Sequence, residues 1–240
     1  MKRSRPVVAI DGPAGSGKSS TAKAVAAALG FTHLDSGAVY RAVALALMEA
    51  ERQRHRGAEA QGNGSTEGSR AVMAAKQRGL AASAAAGGFR VTLDGRDVEP
   101  AIRSPEVTAS VSRVAALPEV REYVTALLRE AAAEGGVVMD GRDIGTVVFP
   151  DAEVKVFLVA DQLERARRRL AERGEPTDEE SARREAARLA ERDARDSSRE
   201  VAPLAAAPDA IHLDTTSLSF ADQVQAVVSL VNRYLEAPEL

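Results

Sequence analysis

Cysteine is absent from this chain, so it holds no disulfide framework, no thiolate zinc site and no cysteine nucleophile. That absence fits a reducing cytoplasm, where we expect the protein to reside. Long apolar runs are missing as well, and no stretch approaches the roughly 20 consecutive apolar residues of a membrane helix. The opening Met1-Lys2-Arg3-Ser4-Arg5 looks like the charged start of a secretion signal, but the apolar run behind it is only Val7 to Ile10 and ends in Asp11. Neither secretion nor a membrane partner is expected. A surplus of positive charge is lacking too: the net charge is −3 and the pI near 5.8, which denies the basic surface of a general nucleic-acid coat. We therefore expect no nucleic-acid partner, infer no obligate protein partner, and take any anion binding to be local. His33, His55 and His212 stand apart at no metal-ligating or triad spacing and receive no role.

What the chain does contain begins with Gly12-Pro13-Ala14-Gly15-Ser16-Gly17-Lys18-Ser19, which fits G-x-x-x-x-G-K-[ST] directly behind the apolar run Val7-Val8-Ala9-Ile10. This is a phosphate-binding loop. Its glycines let successive backbone N–H groups turn toward nucleotide phosphates, and the next helix adds the positive end of its dipole. The apolar spacing of Ala22, Val25, Ala26 and Leu29 predicts that helix as far as Gly30. Gly12, Pro13, Ala14, Gly15, Ser16, Gly17, Lys18, Ser19 and Ser20 are the candidate ATP contacts. Lys18 reaches the β- and γ-phosphates, and the Ser19 hydroxyl is the candidate ligand for Mg²⁺.

Further strands are expected at Phe31–Leu34, Val137–Met139, Val154–Val159 and Ile211–Leu213, with helical patterns between most of them. That is the pattern of a parallel-sheet α/β protein of the P-loop NTPase type, flanked by helices. Ligands of such sheets sit beyond the carboxyl ends of the strands. One domain over 1–240 is expected, its core made of 1–50 and 134–240. Between Arg52 and Gly88 large apolar residues become rare, so we expect a mobile insertion over 51–88, with Gln53–Ser69 a loop and Ala71–Ala86 a weak helix or more linker. Phe89-Arg90-Val91-Thr92-Leu93 alternates like a strand and Asp94-Gly95 turns it back, while Pro105 and Pro118 are placed to open helices. We expect an inserted small subdomain at 89–133. From Gln162 to Arg199 arginines alternate with glutamates, the pattern of a solvated helical pair laced with i,i+4 salt bridges. Its break at Arg173-Gly174-Glu175-Pro176-Thr177 gives it the form of a helical lid, near 162–199, able to close over phosphates.

A phosphate loop alone does not choose among kinases, GTPases and motors. No Asn-Lys-x-Asp guanine-reading motif occurs, and three features point to a second, phosphorylated substrate. In Leu34-Asp35-Ser36-Gly37-Ala38-Val39-Tyr40-Arg41, Ser36 is placed as a helix N-cap and Arg41 lies one turn in, where its fork suits a monophosphate. In Val137-Val138-Met139-Asp140-Gly141-Arg142-Asp143-Ile144-Gly145-Thr146, a buried strand runs into a polar turn with an Arg-Asp pair. Asp94-Gly95-Arg96-Asp97 looks alike but follows an alternating strand and is read as a hairpin turn. In Arg192-Asp193-Ala194-Arg195-Asp196-Ser197-Ser198-Arg199, helical spacing puts Arg192, Asp196 and Arg199 on one face and turns Asp193 and Arg195 elsewhere.

On these residues the chain strongly resembles the bacterial cytidylate kinases, the P-loop nucleoside monophosphate kinases that phosphorylate CMP and dCMP. The resemblance also rests on Ile10-Asp11-Gly12-Pro13, Ile102-Arg103-Ser104 with Val107, the run Asp140 to Ala152, and Ala202-Pro203-Leu204. It spans nearly the whole chain and departs from the family pattern in Arg52–Gly88, which is longer. It implies an inserted subdomain that binds the monophosphate. It also implies that Ser36, Arg41, Arg142, Arg192 and Asp196 hold the phosphate and sugar, and that Ser112, Arg121, Asp143 and Arg199 surround the cytosine, with Tyr40 in the same substrate set. Cytosine offers an exocyclic amine that a carboxylate accepts from, where uracil would face Asp143 with an oxygen. The expected reaction is in-line attack of an acceptor phosphate oxygen on the γ-phosphorus of ATP. Lys18, Arg142 and Arg192 are the catalytic cations, with Arg165 and Arg169 as further lid candidates. A kinase for another small acceptor, such as UMP, AMP or a metabolite, and a non-catalytic ATP-sensing switch are the alternatives.

Overall fold

Val7 to Asp11 are buried without exception, as a strand covered on both faces by helices must be. In a computed structural model that describes residues 5–56, 65–85 and 88–237, the chain forms two compact units, Met1–Leu34 with Glu134–Leu240, and Asp35–Ala133. The first unit starts with β1 (Val7–Asp11), the phosphate loop, α1 (Lys18–Leu29) and β2 (Thr32–Asp35). Gly30 ends α1 in the left-handed conformation, its N–H returning to the carbonyls of Ala26 and Ala27.

The chain then builds the second unit from α2 (Ser36–Arg56), α3 (Glu67–Gln77), β3 (Ala81–Ala85), β4 (Gly88–Leu93), β5 (Arg96–Asp97), α4 (Glu99–Ile102), α5 (Pro105–Val114) and α6 (Pro118–Ala131). Pro105 and Pro118 each stand in the first turn of a helix, as expected of a residue with fixed φ and no N–H to waste. β3, β4 and β5 form an antiparallel sheet in which Asp94 and Gly95 make the β4–β5 turn, so Asp94-Gly95-Arg96-Asp97 is the hairpin the sequence suggests. The core of this unit includes Val39, Val43, Leu47, Leu93, Ile102, Val114, Val124 and Leu128.

The stretch 51–88 differs from the single mobile insertion expected. Residues 51–56 complete α2, 67–77 form α3 and 81–85 pair with β4. Part of the expected loop Gln53–Ser69, residues 57–64, lies outside the described residues, as do 86–87. Tertiary partners decide where composition does not. Thr66 caps α3 by accepting from the Ser69 N–H and donates to Glu119 of α6. Ala71 and Ala75 are fully buried, and Arg78 bridges Glu49 of α2 and Asp94 of the hairpin. Alanines that favour helix in isolation become strand at 81–85 because β4 offers a partner edge.

Back in the first unit, β6 (Val137–Gly141) leads into a π-helical turn over Ile144–Val148, followed by β7 (Val154–Val159), α7 (Gln162–Glu172), α8 (Glu179–Ser197), β8 (Ile211–Asp214) and α9 (Phe220–Glu236). The sheet order is β2-β6-β1-β7-β8, with β1 central and parallel to both neighbours, Val8 facing Val138 and Val154. Ile10, Val25, Val156, Leu158, Val227 and Val231 pack its core. This order brings the carboxyl ends of β1 and β6 side by side, Asp11 paired with Gly141. Among the described residues no helix is long and apolar enough to cross a membrane.

Candidate active site

β1 delivers the chain into the phosphate loop at Gly12, where an added Cβ would stand 2.3 Å from the Leu158 carbonyl oxygen, so only glycine fits. At the other end of the loop Gly17 has φ 82° and starts α1 with no side-chain cap and no acidic residue in its first turn. The N–H groups of that turn are thereby left to an anion, and the helix dipole adds to their pull. The Ser16 hydroxyl is fully buried and, among the described residues, makes no hydrogen bond, as suits a group reserved for a ligand oxygen.

Lys18 is buried, and its Nζ donates to the Pro13 carbonyl at 3.0 Å. Burial pushes its ammonium down to about 7; the positive charges of Arg142 and Arg192 push the same way, against the pull of Asp140 and Asp193. The three proposed catalytic cations therefore share one neighbourhood. Ser19 and Ser20 are exposed on the first turn of α1. The Ser19 hydroxyl donates to Asp140 Oδ2 at 2.5 Å, and Asp140 Oδ1 lies 2.7 Å from His33 Nε2. Burial raises the Asp140 carboxyl, but the hydrogen bonds of His33 and Ser19 and the charge of Lys18 outweigh it and hold the group below the ordinary aspartate value.

The turn after β6 is pinned from beneath by Asp11, whose two oxygens accept from the N–H groups of Ile144 at 2.9 Å and Gly145 at 2.8 Å. Burial pushes the Asp11 carboxyl up to about 6, although those two donors oppose it. The pinned turn starts at Asp143, itself buried. Arg142 Nε donates to Asp196 Oδ2 at 3.0 Å, and Arg199 donates to Asp196 Oδ1, so one buried carboxylate sits between two guanidinium groups. Helical spacing suggested that Arg199 shares a helix face with Asp196; α8 in fact ends at Ser197, and Arg199 reaches Asp196 from beyond the helix end.

Asp193 does turn the other way. Its Oδ1 accepts from the Ala14 N–H at 2.9 Å and its Oδ2 from Arg165 Nη1 at 2.5 Å, while the same Nη1 donates to the Ala14 carbonyl at 2.8 Å. α7 and α8 are thus buckled to the phosphate loop. Arg165 is engaged in this buckle, and Arg169 forms an ion pair with Glu185 of α8 at 3.0 Å. The helical pair is otherwise laced as expected, with i,i+4 pairs Arg168–Glu164, Arg183–Glu179, Arg184–Glu180 and Arg195–Glu191.

In the second unit Arg41 Nη1 donates to Thr108 Oγ1 at 2.8 Å and to the Ile102 carbonyl at 3.3 Å. Arg121 is buried, donates to the Ala115 carbonyl at 3.0 Å and lies 5.3 Å from the centre of the Tyr40 ring, a cation–π contact that joins two expected substrate residues. Ser112 is half-buried on α5. Ser36 is buried as the first residue of α2 rather than its cap; Asp35 takes that role, accepting from the Ala38 N–H at 3.1 Å, because a carboxylate at a helix start also gains from the dipole.

Asp11 and Asp140 join this cluster through their hydrogen bonds, although no motif assigns them a role. Their signal was available, since each is an acid closing an apolar strand at the ligand end of a parallel sheet. Helical spacing turns Asp193 away from Asp196 without showing its partners Ala14 and Arg165, and the partner that explains His33 stands 107 residues along the chain.

Comparison with known proteins gives a consistent result. A sequence model of the family described as cytidylate kinase matches residues 8–233. A protein called cytidylate kinase from Solibacter usitatus is 46% identical over 96% of this chain and 94% of its own length. Its namesake from Streptomyces griseus is 45% identical over 95% of this chain and 94% of its own. A third, from Desulfitobacterium hafniense, is 46% identical over the same shares.

Proposed function

Because this chain belongs to the cytidylate kinase family, and so uses ATP to phosphorylate CMP and dCMP, we propose that Lys18, Arg142 and Arg192 carry the transfer. The carrying observation is their shared neighbourhood: the buried Lys18 ammonium, already disfavoured by desolvation, also feels the charges of Arg142 and Arg192, and a bound phosphate would relieve all three. No general base is required, because an acceptor phosphate is already largely ionised near neutral pH. Catalysis then reduces to holding the acceptor oxygen in line with the γ-phosphorus and neutralising the charge that spreads over the migrating group. Lys18 and the loop residues Gly12 to Ser20 hold the ATP phosphates. Arg142 and Arg192 face the migrating phosphoryl group, and Asp196 keeps Arg142 oriented.

Ser19 and Asp140 offer a hydroxyl and a carboxylate, the hard oxygen donors that Mg²⁺ prefers, and we assign the ion to them. Among the described residues there is no cluster of three or more His, Cys, Asp or Glu able to cage a metal, which suits an ion that takes most of its ligands from water and nucleotide phosphates. When bound, it supplies charge neutralisation on those phosphates.

We assign the pyrimidine to Asp143, with Arg199 beside it. In the second unit we assign the monophosphate and sugar to Ser36 and Arg41, and base contacts to Ser112, Arg121 and Tyr40. α7 and α8 act as the lid, and closure over the phosphates would exclude water that could otherwise hydrolyse ATP. A cytoplasmic location suits this metabolic role. Asp143→Asn tests the base assignment. An amide presents either donor or acceptor, so discrimination should relax, and one well-made base contact is worth about 1–3 kcal/mol. The ratio of kcat/KM for CMP over UMP is expected to fall by about tenfold or more. An equal loss for both nucleotides would move base reading to another residue.

A further inference from the structure

Resting on the assignment of Mg²⁺ to Ser19 and Asp140, we propose that His33 is a positioning residue of this enzyme, which fixes the Asp140 carboxylate in the orientation that receives the nucleotide-bound metal. His33 lies on β2, the strand next to β6 in the sheet, and Asp140 lies near the end of β6. Asp140 is buried, with Ser19 on one oxygen at 2.5 Å and His33 Nε2 on the other at 2.7 Å. The carboxylate torsion of an aspartate is broad when unconstrained, and two partners approaching opposite oxygens remove that freedom. An ionised carboxylate only accepts, so Nε2 carries the hydrogen whether the ring is neutral or charged, and the role needs no titration of His33.

The two partners differ in kind. Ser19 is itself a proposed ligand, and its hydroxyl would offer the ion a lone pair while its hydrogen can stay on Oδ2. The imidazole is no proposed ligand, and its hold on the other oxygen serves only to keep Asp140 from rotating. Partners of this kind behind a liganding carboxylate change metal affinity by about 10–100-fold when removed. They act on the metal and leave the rest of the nucleotide contacts alone.

The test is calorimetric titration of ADP with excess Mg²⁺ and again with EDTA, on wild type, His33→Ala, His33→Phe and His33→Gln, beside CMP affinity and thermal melting. Phenylalanine fills the space without a donor, which covers the case in which alanine fails to fold. Glutamine brings an amide N–H to about the reach of Nε2. The factor by which Mg²⁺ strengthens ADP binding is expected to fall about tenfold in the Ala and Phe variants. It should recover by at least half, on a logarithmic scale, in the Gln variant, while CMP affinity and metal-free ADP affinity stay within about twofold of wild type. An unchanged Mg²⁺ factor in a folded Ala or Phe variant overturns the proposal. So do losses of metal-free ADP and CMP affinity as large as the loss with metal, which would make His33 a mere support of the fold. A wild-type protein whose ADP affinity ignores Mg²⁺ defeats the metal assignment, and the role of His33 with it.

Discussion

A buried lysine held down to about 7 by its own surroundings is costly to the protein without ligand, and that cost identifies what Lys18 is for. The folded state binds fewer protons at this site than the unfolded chain between about pH 7 and pH 10.5. Stability contributed by the site therefore rises as pH climbs through that window and is lowest below it, where the buried ammonium is fully charged. Lys18→Met is expected to melt at a higher temperature than wild type at pH 7 in the absence of nucleotide, with the difference shrinking toward pH 10. Its kcat should fall by about a hundredfold or more, because a charge aimed at the migrating group is gone. Melting curves across pH beside steady-state turnover check both. A Lys18→Met protein that melts lower than wild type at every pH would make the lysine a packing element. Asp143 is the other residue on which the account leans, and it owes its place to Asp11, which pins the turn that follows it.

At the scale of elements, the best-supported mechanical link is the buckle of Arg165, Asp193 and Ala14, which ties α7 and α8 to the phosphate loop. Arg165→Ala would leave the Asp193 carboxylate, which is mostly shielded from water, without its cation. We expect a loss of about 1–3 kcal/mol in stability and a raised KM for ATP, with CMP affinity unchanged. A double-mutant cycle with Asp193→Ala measures the coupling, and additive effects of the two single variants would show that the buckle does not act as a unit. Sequence pattern predicted these two helices and their break because amphipathic spacing and Gly-Glu-Pro punctuation are local signals. The strands of the main sheet were legible as short apolar segments, unbroken in β1 and at the start of β6 and interrupted by His33 in β2, Lys155 in β7 and His212 in β8. The buckle was not legible, since an Arg-Glu-rich helical pair reads as solvated surface until Ala14, some 150 residues earlier, is seen beside it. α3 overlaps the weak helix that Ala71–Ala86 allowed, whereas β3 was hidden by composition: alanine and glycine bury little in isolation, and partners such as Glu49, Asp94, Glu119 and the β4 edge give that stretch its order.

On the scale of the whole molecule, the phosphate loop names a nucleotide enzyme, and the blocks ending in Arg41, Thr146 and Arg199 name the kind. These blocks could be recognised because each sits where a strand or helix ends, so its polar residues serve a ligand rather than the core. The division into two units, with 35–133 standing as its own compact body, follows from the antiparallel hairpin and its five helices. The central claim is that the chain selects a cytidine monophosphate as phosphoryl acceptor. It is tested most directly by ADP production from ATP and Mg²⁺ with CMP, dCMP, UMP, AMP and GMP in turn, and with no acceptor. The account predicts turnover with CMP and dCMP, kcat/KM at least about tenfold lower for each of the other three, and no appreciable ATP hydrolysis without an acceptor. Equal turnover with UMP or AMP, or ATP consumption that ignores the acceptor, would contradict it.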